Sequence, residues 1–235
     1  MANKYLVISG GSRGIGFATI QKFIACGYKA INLSRSAPRL EGVTHITADF
    51  TDIGWAEKCG TLIDDAIPES AEIVLIHNSG VLLSDNVENV SAEQLQRVMQ
   101  VNVIAASQLN QLLISRMEKG SSILYVASTL GEKAVANTCS YVASKHAMIG
   151  LMKSTSQDLF GRGIHTAALC PGFTETEMLN EHIGNDNAVV ESIVQGVSFG
   201  RLIEPEEMAA SLWFASQNPV INGSVIHANL GQKEY

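Results

Sequence analysis

Tyr5-Leu6-Val7-Ile8 is a short apolar run that stops at Ser9 and turns through Gly10-Gly11-Ser12-Arg13-Gly14-Ile15-Gly16. An amphipathic pattern follows, Phe17, Ile20, Phe23 and Ile24, and ends at Cys26-Gly27. Strand, glycine turn and helix in that order constrain the chain more than any other stretch. Glycines at 10, 14 and 16 let the backbone turn tightly, approach a pyrophosphate and pack the helix on the strand, while the helix N-terminus offers free N–H groups to the anion. The alternative is a plain turn between strand and helix.

The same alternation continues. Ala30 to Leu33 reads as a second strand, Val43 to Ala48 as a third, Ile73 to Ile76 as a fourth and Ile123 to Ala127 as a fifth. His165 to Cys170 makes a sixth, and Ser224 to His227, after the turn at Asn222-Gly223, a seventh. Continuous apolar strands separated by helical patterns predict a doubly wound, mostly parallel α/β sheet covered on both faces. Ser91-Ala92-Glu93-Gln94 opens a helix with a capping-box pattern that runs toward Met117, with Asn102 inside it. Another helix runs from Ser140 to about Phe160, and Pro205-Glu206-Glu207 starts a last one.

The strand ends carry the chemistry. At Ser34-Arg35 no acid is present to accept a ribose 2′-hydroxyl, and Arg35 with Arg13 could pair with a 2′-phosphate, which favours NADP; the plainer reading is solvated surface charge. Asp49, before Phe50, suits the adenine amino group or, equally, the cap of a helix over Asp52 to Ala66. Ser128 follows the fifth strand, at the edge where open α/β sheets bind ligands. Tyr141 and Lys145 are four residues apart, hence on one helical face, and an ammonium near a phenol lowers the phenol's pKa and makes its proton transferable. The alternative for that pair is a half-exposed helical face. The segment 177–198, polar at Asn185-Asp186-Asn187 and apolar at Met178, Leu179, Ile183, Val189, Val190 and Ile193, is a substrate lid or a pair of surface helices.

Composition narrows the partners. A net charge of −7 without a basic block argues against nucleic acid and anionic membranes, and the longest apolar runs are only strand-length. The N-terminus enters a strand without a leader pattern, so the expected location is the cytoplasm. Cys26, Cys59, Cys139 and Cys170 show no paired spacing, and the apolar neighbours of Cys26 and Cys170 predict buried, reduced thiols. The six histidines form no ligand-spaced cluster with them, so no metal site is expected.

Taken together, the chain resembles the short-chain dehydrogenase/reductase family over nearly its whole length. Ser9-Gly10 to Gly16 is similar to the family's Thr-Gly-x-x-x-Gly-x-Gly, and His77-Asn78-Ser79-Gly80 to its Asn-Asn-Ala-Gly. Ser128 stands 13 residues before Tyr141, the family's usual interval, and Pro171-Gly172 with Thr176 matches the segment that binds the nicotinamide carboxamide. Within the family, the glycine turn, Pro171 to Met178 and Phe199-Gly200-Arg201-Leu202 are most similar to 3-oxoacyl-acyl-carrier-protein reductases. Two departures stand out: His77 and Ser79 in the second motif, and Ala228-Asn229-Leu230-Gly231 where the family often has Asp-Gly-Gly.

The resemblance implies a single Rossmann domain over residues 1–235 and an NADPH-dependent reduction of a carbonyl, a 3-oxoacyl thioester being one substrate class. An alcohol or sugar dehydrogenase would use the same site oxidatively, and a chain that lost catalysis would be an NADP(H)-binding regulatory protein. Asn102, Ser128, Tyr141 and Lys145 become the catalytic residues. Tyr141 moves the proton, Ser128 orients the carbonyl, Lys145 lowers the tyrosine pKa and holds the ribose, and Asn102 kinks its helix and anchors a water chain. The cofactor contacts are Gly10, Ser12, Arg13, Gly14, Ile15, Gly16, Ser34, Arg35, Asp49, Phe50, Asn78, Ser79, Gly80, Tyr141, Lys145, Pro171, Gly172, Thr174 and Thr176. A homotetramer or homodimer is expected, formed through the helices at 93–117 and 140–160 and the last strand. An acyl carrier protein would dock on Arg116, Lys119 and Arg162; scattered surface charge is the alternative for each.

Overall fold

The computed structural model describes residues 4–184 and 186–233. Seven strands form one parallel sheet: β1 (Lys4–Ser9), β2 (Lys29–Ser34), β3 (Val43–Thr47), β4 (Glu72–His77), β5 (Ser122–Val126), β6 (His165–Pro171) and β7 (Ser224–Ala228). Their order is β3-β2-β1-β4-β5-β6-β7, and every pairing is parallel. The doubly wound α/β architecture expected from the apolar runs is therefore the one observed. β1 and β4 pair in register, Ile8 with Ile76 and Ser9 with His77, so two strand ends and the loops beyond them start side by side.

Successive strand residues point to opposite faces, which splits the core into two layers. Tyr5, Val7, Ile31, Leu33, Ile73 and Leu75 pack under α2 (Trp55–Ala66), α4 (Ala105–Leu113) and α5 (Cys139–Asp158). Leu6, Ile8, Ala30, Val74 and Ile76 pack under α1 (Gly14–Ala25) and α8 (Pro205–Gln217). On that second face Phe23, Tyr28 and Trp213 form a triangle of edge-to-face rings with centroids 5.0–5.6 Å apart.

Between β4 and β5 lies α3 (Ala92–Met99), opened by the predicted capping box: the Ser91 hydroxyl accepts from Gln94 N and the Gln94 amide oxygen accepts from Ser91 N. Residues 100–104 form a π turn before α4 begins, so the segment from Ser91 toward Met117 is not one uniform helix. Within the 177–198 segment, α6 (Glu177–Ile183) and α7 (Asn187–Gln195) are separate helices, and Asn185 lies outside the described residues.

Two expectations, the second helix with its cap and Cys26, are corrected. The second helix begins at Trp55 rather than Asp52, and Asp49 does not cap it; the Asp49 carboxylate accepts from Thr51 N and Oγ1 in a local turn. Cys26 is exposed, because the apolar residues around it belong to the end of α1 while its own position faces solvent; Cys170 is buried as expected. Arg116 and Arg162 are committed to the framework, Arg116 to Asp64 and the Ile67 carbonyl and Arg162 to the Ile114 carbonyl. With Lys119 they precede the starts of β5 and β6, at the sheet edge opposite the strand ends where ligands bind.

The packing of the glycine turn gives a direct test. A Cβ on Gly16 would lie 2.3 Å from the Gly10 carbonyl oxygen and 2.6 Å from Asn78 Nδ2. Since backbone must move to admit it, Gly16→Ala lowers stability by about 1–3 kcal/mol, measured by chemical denaturation.

Candidate active site

The turn between β1 and α1 is held by neighbours on both sides. Asn78 Nδ2 donates to the Ser9 and Gly10 carbonyls at 3.2 and 2.8 Å, and Ser9 Oγ accepts from the Asn78 and Ser79 amides at 3.0 and 3.1 Å. From the other side Asn32, fully buried, accepts from Gly11 N at 2.8 Å. Gly10 and Gly14 have φ of 72° and 53°, a region that favours glycine. Asn78 thus shapes the turn, and Gly16 packs beneath it.

Beside this turn, at the C-terminal edge of the sheet, lies a cavity of about 950 Å³. All the expected cofactor residues line it except Gly16, and Ser128, Tyr141 and Lys145 line it too. Asn102 does not. Arg13 and Arg35 line it together with Arg39, which lies only four residues beyond Arg35 and which no strand end marks. Gln232 from the tail also lines the cavity, next to Gly172. No local pattern marks it in sequence. α6 forms one wall through Glu177, Met178, Leu179 and His182, whereas α7 has no buried residue and stands outside. Arg13 is ion-paired with Glu181 of α6 at 2.9 Å, and Thr176 Oγ1 caps α6 by accepting from Leu179 N.

Ser128 lies two residues past the end of β5 and caps a single 3₁₀ turn, its hydroxyl accepting from Leu130 N at 3.1 Å. Lys145 is 3% exposed; its ammonium donates to the Val126 carbonyl at 2.8 Å and lies 5.4 Å from the centroid of the Tyr141 ring. Asn102 is fully buried in the π turn. Its Oδ1 accepts from Val81 N at 2.8 Å, and its Nδ2 donates to Val81 O and Ser144 Oγ at 3.0 and 2.9 Å. The extra residue of the π turn is what aims this amide at both partners. The amide touches the loop after β4 and the helix behind Lys145 rather than Lys145 itself.

The Tyr141 phenol shifts in the direction opposite to that expected from its spacing to Lys145. Burial pushes the Tyr141 phenol up to about 12, opposed by the Ser128 side chain, and Lys145 contributes no resolved pull on it. Part of the tyrosine faces the cavity, and water there softens the upward push without reversing it. Burial likewise holds Lys145 down to about 8. At neutral pH the phenol is therefore protonated, the form a proton donor needs. Burial also raises the Cys170 thiol behind the site to about 11.

A match to the family model for short chain dehydrogenases covers residues 4–187. The chain belongs to that family. It is 29% identical to the 3α-hydroxysteroid dehydrogenase of Mediterraneibacter gnavus, over 93% of this chain and 91% of that one. It is also 29% identical to the acetoacetyl-CoA reductase of Rhizobium meliloti, over 98% of each. Among solved structures, the aldohexose dehydrogenase of Thermoplasma acidophilum superposes with a TM-score of 0.88 at 26% identity, over 97% and 94% of the two chains. Family membership makes the protein an oxidoreductase of the carbonyl–alcohol type that uses a nicotinamide dinucleotide.

The cavity fits such a cofactor. Gly10 and Gly14 hold the turn where side chains would intrude, and Arg13, Arg35 and Arg39 line the cavity as cations for an anionic group. Among the described residues no group of three His, Cys, Asp or Glu could hold a metal ion, and no helix is long and apolar enough to cross a membrane.

The buried ammonium yields a stability test. Its folded pKa of about 8 lies below the ordinary 10.5, so the unfolded chain binds more protons between those values. The cost of burying Lys145 is thus full below about pH 8 and gone above about 10.5. Lys145→Met stabilises the protein at pH 7 by about 1–3 kcal/mol, less whatever the Val126 carbonyl loses, and the gain fades toward pH 10.5. Thermal unfolding across that range checks it; a gain independent of pH would assign the effect to packing instead.

Proposed function

We propose that the protein is an NADPH-dependent carbonyl reductase. The observation that carries this reading is a single cavity lined both by Ser128, Tyr141 and Lys145 and by Arg13, Arg35 and Arg39. When bound, the cofactor supplies the hydride. The chain does the rest: Tyr141, protonated at neutral pH, donates its proton to the carbonyl oxygen, and Ser128 hydrogen-bonds that oxygen and orients it. Lys145 presents a cation beside the phenol and toward the ribose hydroxyls. Asn102 acts through Ser144 and Val81, holding Lys145's helix against the loop after β4.

An alcohol or sugar dehydrogenase would use the same site in reverse, and cofactor preference with a substrate panel separates the two. The intact Ser, Tyr and Lys speak against a non-catalytic NADP(H)-binding protein. A 3-oxoacyl thioester remains the proposed substrate class, supported by the similarity to an acetoacetyl-CoA reductase. Docking of an acyl carrier protein draws no support from Arg116 and Arg162, which serve the opposite sheet edge.

α6 is the proposed lid, since it walls the cavity and is tied across it by Arg13–Glu181. Four free thiols suit a cytoplasmic protein. The homotetramer proposed from resemblance is supported by Leu95 and Ile104, exposed on the α3–α4 face, and by β7, the open edge of the sheet.

A screen of NADPH oxidation over acetoacetyl thioesters, diketones, quinones and sugar ketones tests the substrate class; no turnover of any thioester removes the 3-oxoacyl reading. Tyr141→Phe abolishes turnover, a loss of at least about 10²-fold, while NADPH still binds; an undiminished rate sinks the assignment. Arg35→Ala weakens NADPH far more than NADH, and equal losses in a fluorescence titration of both cofactors would refute the 2′-phosphate reading.

A further inference from the structure

The helix that carries Tyr141 and Lys145 lacks a cap of its own. α5 follows Asn137, which has φ of 62°, and Thr138, which spends its hydroxyl on the Val135 carbonyl at 2.7 Å. The first-turn N–H groups therefore need a partner from elsewhere. Asp85 supplies it from 55 residues upstream. Buried at 2% exposure, it accepts from Ser140 N at 2.9 Å through Oδ1 and from Ser140 Oγ at 2.5 Å through Oδ2. Its backbone joins the same knot, Asp85 N donating to Asn137 O and Asp85 O accepting from Cys139 N, both at 3.1 Å.

We propose that Asp85 is a positioning residue that sets Tyr141 for proton transfer by fixing the first turn of α5 to the loop after β4. Ser140 and Ser144 are four residues apart on one face of α5, and both are fully buried. Asp85 grips the first, and Asn102, bonded also to Val81, grips the second. Tyr141 and Lys145 are the next residues along, so the catalytic face is indexed by two anchors one helical turn apart. Both anchors lead to residues 81–85, which continue directly from the cavity-lining Asn78, Ser79 and Gly80. A cap at Thr138 would have stabilised the helix end equally well, but it would not have tied the tyrosine to that opposite wall. The side chain must bond both the N–H and the Oγ of one serine, which a carboxylate does by accepting twice. No cation pairs with Asp85 among the described residues, and the helix N-terminus supplies the positive field.

The inference rests on the reading of Tyr141 as the proton donor, and the test separates the two. Steady-state kinetics with NADPH and acetoacetyl-CoA, or the best ketone of the screen, are measured for Asp85→Ala, Asp85→Asn and Ser140→Ala alongside NADPH affinity and Tm. Misplacement of a reacting group by about 1 Å can cost on the order of 10²-fold, so Asp85→Ala loses about 10- to 100-fold in kcat while KM for the ketone changes less than about 3-fold. Asp85→Asn recovers most of the loss, because its amide still accepts from Ser140 N and can donate to Ser140 Oγ. In the cofactor-free proteins, the ¹³Cζ resonance of Tyr141 shifts in Asp85→Ala and returns toward its original position in Asp85→Asn.

A folded Asp85→Ala with undiminished kcat overturns the inference, as does a loss that follows only the unfolded fraction or one that Asp85→Asn fails to relieve. Should Asp85→Ala not fold, Ser140→Ala, which deletes only the hydroxyl bond, loses about 3- to 10-fold in kcat if the inference holds and nothing if it does not. Tyr141→Phe is run in parallel. Full activity there overturns the underlying reading of the site, whereas an inactive Tyr141→Phe beside an unimpaired Asp85→Ala overturns the positioning role alone.

Discussion

The hydrogen bonds that join the ends of β1 and β4 hold the site together. Ser9 Oγ receives two amides from the β4 loop, and Asn78 returns its own amide to the Ser9 and Gly10 carbonyls. These groups sit just beyond the last paired residues of adjacent parallel strands, where backbone donors and acceptors would otherwise have only water. By pairing with one another they fix the separation of the glycine turn and the loop that runs from Asn78 to Asp85. Everything built on either loop inherits that spacing, including the first turn of α1 and, through Asp85 and Asn102, the position of α5.

Electrostatics at the site follows from enclosure more than from proximity. Spacing alone places Tyr141 and Lys145 within reach of one another, and an ammonium near a phenol in water would favour the phenolate. In the folded protein both groups leave water, and each is driven toward its neutral form: the phenol up to about 12 and the ammonium down to about 8. The pair is thus poised with its proton on the tyrosine. His77, stacked against Tyr125 behind the sheet edge, obeys the same rule, burial holding it down to about 4 while it bonds to Asn110. It serves as a neutral polar member of the core.

Much of the fold was legible because a parallel sheet buried on both faces demands uninterrupted apolar strands, and those runs located all seven strands to within one residue at each end. The site was legible wherever a strand ended in an unusual residue type: Arg35, Asp49, Asn78 and Ser128 all line the cavity. What sequence could not show depends on partners far along the chain. Asn32 reaches Gly11 across 21 residues, Asp85 reaches Ser140 across 55, and Gln232 returns from the tail to Gly172; none has a local signature. Cys26 was misjudged for a related reason, since composition near a residue does not say which side of a helix it occupies.

The π turn at 100–104 is a feature of chain length rather than of residue identity. It inserts one extra residue into an otherwise helical segment, and each residue of a helix accounts for about 100° of rotation. Val98 before it and Ala105 and Leu109 after it all reach the core. Removing one residue there would turn Asn102 or the whole of α4 to a different face, while leaving every side chain chemically intact. Asn102 therefore belongs to the site by virtue of a register that no single side chain encodes.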